Sequence, residues 1–113
     1  MTVDLSVVVP AHDEEHYLPA CLRSLDAART RFDGTVEVVV VANRCTDRTV
    51  EVATGAGAVV VESQARGISA VRNAGIAAAS GHTVVTVDAD CTLHPAALAR
   101  VAELLTDPTV VGG

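Results

Sequence analysis

Asp88 and Asp90, in the run T-V-D-A-D-C, are the residues best suited to do chemistry. They follow an apolar, strand-like segment, His82 to Val87. In an extended chain residues i and i+2 point to the same side, roughly 7 Å apart. Two hard carboxylates so placed suit Mg²⁺ or Mn²⁺, which prefer carboxylate and phosphate oxygens. The competing reading is that the acids simply end a strand and solvate a turn. Two further polar runs bear on the choice: P-A-H-D-E-E from Pro10 to Glu15, and N-R-C-T-D-R-T from Asn43 to Thr49.

The elements that must position these runs alternate. Leu5 to Val9 is a β-branched apolar run that reads as a strand buried on both faces, stopped by Pro10. Leu18, Cys21, Leu22 and Leu25 recur at helical spacing within Tyr17 to Arg31. Asp13, Glu14 and Glu15 then fall at the start of that helix, where its dipole favours carboxylates. Val36 to Val41 is a second strand, and Thr46 or Asp47 caps a helix running to about Ala53. Gly55 and Gly57 follow a helix and precede a strand (Ala58 to Glu62), the reverse of a dinucleotide loop, so they are turn and C-cap residues. Gly67 to Ala79 is a third helix carrying Arg72 and Asn73, with Arg66 just before it. After strand four and the acids, His94-Pro95 opens a fourth helix with Leu98, Val101, Leu104 and Leu105 on its apolar face. Asp107-Pro108 breaks it, and Val110-Val111 reads as the start of another strand.

This alternation predicts an α/β fold: a mostly parallel sheet flanked by helices, with right-handed crossovers. The simplest order is 3-2-1-4, in which the chain reverses direction between strands one and four. Ligands bind at the carboxyl ends beside such a switch point. Pro10 to Glu14 and Asp88 to Asp90 would meet there, which favours a functional reading of the acids. Order 2-1-3-4 is the alternative, and it weakens that meeting.

Composition narrows the function classes. The 113 residues suffice for one small domain, 1–113, whose core must be Val, Ala, Leu and Ile because only 2% of residues are aromatic. A net charge of −6 argues against a nucleic-acid partner. No apolar run approaches the ~18 residues of a transmembrane segment, and Asp4 stands where a signal peptide would be basic. Cys21, Cys45 and Cys91 have no C-x-x-C spacing, which fits a reducing, cytoplasmic setting. Cys21 belongs to a core, and Cys91 lacks the electropositive surroundings of a reactive thiol. His16, His82 and His94 read as surface or cap residues.

Taken together, the motifs resemble family 2 glycosyltransferases. SVVVPAHDEEHYLPACLRSL is similar to the family's opening strand followed by P-A-Y-N-E-E. VEVVVVANRCTDRT resembles its second-strand block, usually V-V-D-D-G-S-T-D-x-T. RGISAVRNAGIAAASGHTVVTVDADC is similar to R-G-x-x-x-A-R-N-x-G followed by a hydrophobic strand and D-A-D. Each motif alone is weak; in order, at family spacing, they cover nearly the whole chain. The resemblance implies a Rossmann-like, GT-A-type three-layer sandwich, here its N-terminal nucleotide-sugar-binding portion. Carried over by position, Pro10, Ala11, His12 and Glu14 would line the base and ribose. Asn43 would stand against the base, Arg66 and Arg72 near the diphosphate, and Asp88 and Ala89 would face the nucleotide. Asp90, with Asp88, would hold Mg²⁺ or Mn²⁺. The partners implied are a nucleotide-diphosphate sugar and an acceptor hydroxyl, in the cytoplasm or peripheral to the inner face of the membrane.

The chain also departs from the family pattern. Ala42-Asn43 replaces Asp-Asp, Arg44-Cys45 replaces Gly-Ser, and His12 replaces a frequent Tyr. An asparagine can donate or accept where an aspartate only accepts, which leaves the base open. The acceptor half and its general base are expected beyond the chain end, so little turnover is expected of these residues alone. Strand four is then an apolar edge, with self-association expected. A nucleotidyltransferase would need a glycine-rich loop after strand one, and P-A-H-D-E-E has no glycine. A non-catalytic remnant or interaction domain that keeps the fold is the reading from a different class.

Overall fold

The computed structural model describes residues 3–99. Seven elements alternate: β1 (Val3–Ala11), α1 (Leu18–Thr30), β2 (Val36–Asn43), α2 (Thr49–Gly55), β3 (Val59–Ser63), α3 (Ile68–Ala78) and β4 (Gly81–Thr86). The four strands form one parallel sheet in the order β3-β2-β1-β4. The expected order therefore holds. Val101, Leu104, Leu105, Asp107-Pro108 and Val110-Val111 lie outside the described residues.

The layers follow from strand alternation. Leu5, Val7, Val9 and Ala11 of β1 pack against Leu18, Cys21, Leu22, Leu25 and Ala28 of α1, together with Ala53 of α2. Val8 of β1 and Val39 and Val41 of β2 face the other way, onto Val71 of α3. Helices α1 and α2 thus cover one face and α3 the other, as right-handed crossovers require once the chain turns back over β1. Gly75 of α3 rests directly on the sheet, because a Cβ there would lie within 2.7 Å of Val8 and Val41 side-chain carbons.

Pro10 does not end β1 as its chemistry suggested; the strand continues to Ala11, with Pro10 opposite Val41. The ladder explains why. Val8 accepts from the Val87 amide at 2.9 Å, so residues two apart from Val8 direct their backbone groups toward β4. Pairing with β4 stops at Val8 opposite Thr86. Pro10 lacks an N–H only where no ladder bond is made, and β1 and β4 can part there.

The opposite end of the sheet is pinned by a polar cluster. The buried Ser6 hydroxyl donates to Glu37 at 2.6 Å, the Ser80 amide donates to the same carboxylate at 3.0 Å, and the Gly81 amide donates to Ser6 Oγ at 2.8 Å. The Ser6 hydroxyl, and after it the Ser80 amide, hold the Glu37 carboxyl below its ordinary value of 4.5. A lowered carboxylate pKa contributes stability that is present above the ordinary value and lost as pH falls through the folded one. Ser6→Ala is expected to cost about 1–3 kcal/mol at pH 7. The deficit should shrink at acid pH, as the fall through the lowered folded-state value protonates Glu37. Urea denaturation at the two pH values measures this, and an equal deficit at both would remove the charge from the account.

Candidate functional site

The site lies at the carboxyl ends of β1, β2 and β4. Alternation continues past β4: Val87 and Ala89 are buried while Asp88 and Asp90 are exposed. Ala89 packs into the α1-side core with Leu98 and Cys21, so its neighbours on either side project outward. Asp88, Asp90 and Cys91 each offer a ligand atom, and these lie within 4.8 Å of one another. Two oxygens on one Mg²⁺ sit at most ~4.2 Å apart, so a small side-chain rotation closes the gap. The exposed carboxylate pair fits a hard divalent cation that keeps several waters. The Cys91 thiol is pushed up, by desolvation first and then by the charges of Asp90 and Asp88. It is a poor nucleophile, as expected from its acidic neighbours.

Glu14 follows β1 and Asp90 follows β4, adjacent strands of the sheet. Burial first, and the Asp90 charge second, raise the Glu14 carboxyl above its ordinary value. Cys21 ties α1 to the same corner, with its thiol 3.8 Å from the Asp88 carbonyl. Burial, then Cys91 and Asp90, push that thiol up to about 11. It is the core residue its apolar pattern indicated.

The acidic turn after β1 has a different role from the one its position suggested. Helix α1 begins at Leu18 and carries no acid in its first turn, so its dipole does not hold Asp13, Glu14 or Glu15. These residues brace the turn against the loop after β2 instead. Asp13 accepts from the amides of Thr46 at 2.7 Å and Asp47 at 3.2 Å. The amides of Glu14 and Glu15 donate to Thr49 Oγ1 at 2.9 Å and to Asp47 Oδ2 at 3.1 Å. Asp47 also accepts from the Thr49 amide at 2.9 Å, but the N-cap of α2 is Arg48, not Thr46 or Asp47, and it makes no side-chain cap bond. Asp13 and Arg44 hold φ of 50°, a left-handed conformation that such reciprocal bonds stabilise. Sequence reasoning missed this brace, since its partners lie 32 to 35 residues apart. The only local signal was the D-x-T spacing of an Asx turn, Asp47 to Thr49.

Of the other expected site residues, His12 is exposed at the end of β1, and its Nδ1–H donates to the Asn43 carbonyl at 2.8 Å. A carbonyl only accepts, so a proton is on Nδ1; Nε2 lies 3.9 Å from Asp13 Oδ2. The Asn43 side-chain amide donates to the carbonyls of Ser63 at 3.2 Å and Ala65 at 2.8 Å. Ala11 is buried in the core, as Ala89 is, so neither offers its side chain to a ligand; only backbone atoms remain. Arg66 and Arg72 are exposed at the N-terminal end of α3, which leaves the carboxyl end of β3, and neither has an ion-pair partner among the described residues. His94 is a cap: its ring accepts from the Ala96 amide at 3.1 Å.

A groove of about 820 Å³ lies elsewhere, between α1 and α2. Of its charged side chains, Arg29 pairs with Asp26, Glu37 bonds Ser6 and Ser80, and Arg23 makes no ion pair among the described residues. Nothing in its walls converges as the acids at the carboxyl rim do.

Known proteins share this arrangement. Residues 6–113 match the family described as Glycosyl transferase family 2. Glycosyltransferase AglE of Haloferax volcanii is 30% identical over 96% of this chain and 38% of its own length. The dolichyl-phosphate hexose transferase of the same organism is 34% identical over 92% of this chain and 44% of its own. The chain thus spans about two-fifths of these relatives. Among solved structures, glucosyl-3-phosphoglycerate synthase from Mycobacterium tuberculosis, in complex with Mn²⁺, UDP and glucosyl-3-phosphoglycerate, superposes with a TM-score of 0.79 at 31% identity, covering 94% of this chain and 41% of that one. S. aureus TarS 1-349 in complex with UDP-GlcNAc gives 0.75 at 27% identity, covering 90% and 31%. The sheet order, the converging acids at its switch point and these matches agree: the chain belongs to glycosyl transferase family 2.

Proposed function

We propose that these residues form the donor half of a glycosyltransferase site, holding a nucleotide-diphosphate sugar through a divalent cation for transfer to an acceptor hydroxyl. The observation that carries this reading is the convergence of the Asp88 and Asp90 ligand atoms just past β4, beside β1 at the switch point of the sheet. Neighbours of the same fold bind UDP with Mn²⁺ or Mg²⁺, which supports it. Asp90 and Asp88 would hold the cation. When bound it neutralises charge developing on the departing diphosphate.

The chain's own groups account for the rest. Arg66 and Arg72, exposed and without ion-pair partners among the described residues, can grip phosphate oxygens with paired N–H groups. Pro10, His12 and Glu14 border the nucleoside, with Ala11 and Ala89 contributing backbone. The braced loops fix these positions before any ligand arrives, so little ordering is left for binding to offset. We assign no general base among the described residues; Glu14 faces the donor side. No helix of the described residues is long and apolar enough to cross a membrane; a cytoplasmic or membrane-peripheral location belongs to this same proposal.

Calorimetry of the chain with UDP and with GDP, in the presence and absence of Mn²⁺, tests the reading. Saturable heat that depends on the metal is expected. Negligible heat with every nucleoside diphosphate would leave a fold without a donor site. Pairing of two copies through the outer side of β4, unpaired among the described residues, is also part of the proposal. Sedimentation that reports a monomer at every concentration would remove it.

A further inference from the structure

Resting on the donor-site reading, we infer that Thr49 is a positioning residue for nucleotide binding: its hydroxyl holds the turn after β1 in the shape that receives the donor. Thr49 is fully buried, so it does not itself touch a bound nucleotide. It is the first residue of α2, and its Oγ1 accepts from the Glu14 amide at 2.9 Å. The proton of that hydroxyl goes to Asp47 Oδ1. A carboxylate only accepts, so the hydroxyl gives its hydrogen to Asp47 and turns a lone pair to Glu14. Its direction is fixed by using it as donor and acceptor at once.

Glu14 is gripped through both of its peptide groups. Thr49 holds its amide, and its carbonyl accepts from the Leu18 amide at 2.8 Å and the Tyr17 amide at 3.2 Å. Leu18 opens α1 as Thr49 opens α2, so the starts of two helices close on one residue. The Glu15 amide is held in turn by Asp47 Oδ2 at 3.1 Å, the second oxygen of the carboxylate that orients Thr49. In the donor-site reading Glu14 borders the nucleoside, and Thr49 acts on the nucleotide through it.

The residues between Ala11 and Leu18 belong to no strand or helix. Such a connection samples many backbone states unless it is tied down, and ordering it at the moment of binding subtracts from affinity. The bonds to Leu18 and Tyr17 are local and fix only the exit of the turn. Thr49, 35 residues further along the chain, fixes its Glu14 amide against α2. Valine has nearly the shape of threonine and can make neither bond of the hydroxyl, so it separates the pin from the packing.

Calorimetry of the full chain with Mn²⁺ and either UDP or GDP, whichever the wild-type protein binds, compares three variants. Thr49→Val should bind at least about tenfold more weakly. Thr49→Ser keeps the hydroxyl and should stay within about threefold of wild type, although it too loses stability with the buried methyl. Ser6→Ala, destabilised at the opposite end of the sheet, should bind as wild type does; this separates positioning from a general loss of stability. In the ligand-free protein the Glu14 and Glu15 amides should exchange with deuterium faster in Thr49→Val than in Thr49→Ser. Asp47 is only half-buried, and Asp47→Asn takes one acceptor from the same pin. It should weaken binding at least about threefold, so the test stands even where Thr49→Val does not fold. Wild-type affinity in folded Thr49→Val, equal weakening in Thr49→Val and Thr49→Ser, or equal weakening in Ser6→Ala overturns the assignment and leaves the donor site standing. Absence of metal-dependent binding by the wild-type protein refutes the donor site itself, and this assignment with it.

Discussion

Replacing Asp90 with alanine is expected to weaken Mn²⁺-dependent nucleotide binding by about a hundredfold or more. Removing even an outer-shell partner of a metal ligand costs 10- to about 100-fold, and Asp90 is proposed as a direct ligand. Few protein groups share the load, because Mg²⁺ and Mn²⁺ sites of this kind use one or two carboxylates plus substrate phosphate. The substitution should not harm the fold. Asp90 is exposed, and its one side-chain contact among the described residues is the Cys91 thiol at 3.7 Å. Its charge is also one of the influences that raise the Glu14 carboxyl. A raised carboxylate pKa marks a cost to the folded state once the group ionises, so removing Asp90 should leave stability at neutral pH unchanged or slightly higher. The expected pair of results is lost binding by calorimetry with an undiminished melting temperature. Retained, metal-dependent affinity in Asp90→Ala would take the cation away from this residue.

The second large effect is structural and lies on the other face of the sheet. A Cβ at Gly75 would be 2.3 Å from Val8 Cγ1 and 2.7 Å from Val41 Cγ2. Both valines are fully buried and β-branched, so neither can swing away. Alanine would gain about 1 kcal/mol of helix propensity and lose about 1–3 kcal/mol to overpacking. A net loss is expected, read as a lower urea midpoint. Gly75→Leu adds a whole side chain to the same space and should exceed ~4 kcal/mol, a large part of the ~5–15 kcal/mol a domain has. It should be unfolded or insoluble. A raised midpoint in Gly75→Ala would mean that α3 stands further from the sheet than described.

Periodicity made the frame legible. Val-rich runs and the helical spacing of Leu18, Cys21, Leu22 and Leu25 gave the alternating elements and, as the simpler of two orders, the observed 3-2-1-4 sheet. What the residues did not disclose depends on partners far away in the chain. Pro10 reads as a terminator by its own chemistry, and only the early end of the β1–β4 ladder makes it tolerable within a strand. Asp13 and Asp47 look like dipole and cap residues until their bonds to each other's loops are seen. Asn43 looked ambivalent until Ser63 and Ala65 took both of its hydrogens. Ala11 and Ala89 belong to conspicuous motifs, yet their methyl groups are buried.

Ala89 acts as a keyed peg. A slip of the chain by one residue would drive a carboxylate into hydrocarbon and lift the methyl into water, an exchange far costlier than any surface hydrogen bond. The spacing between the two acids is therefore guarded by oil beneath them, with no clasp needed on either. Drift at the exposed tip can alter where each carboxylate leans but cannot change which of the three side chains points inward.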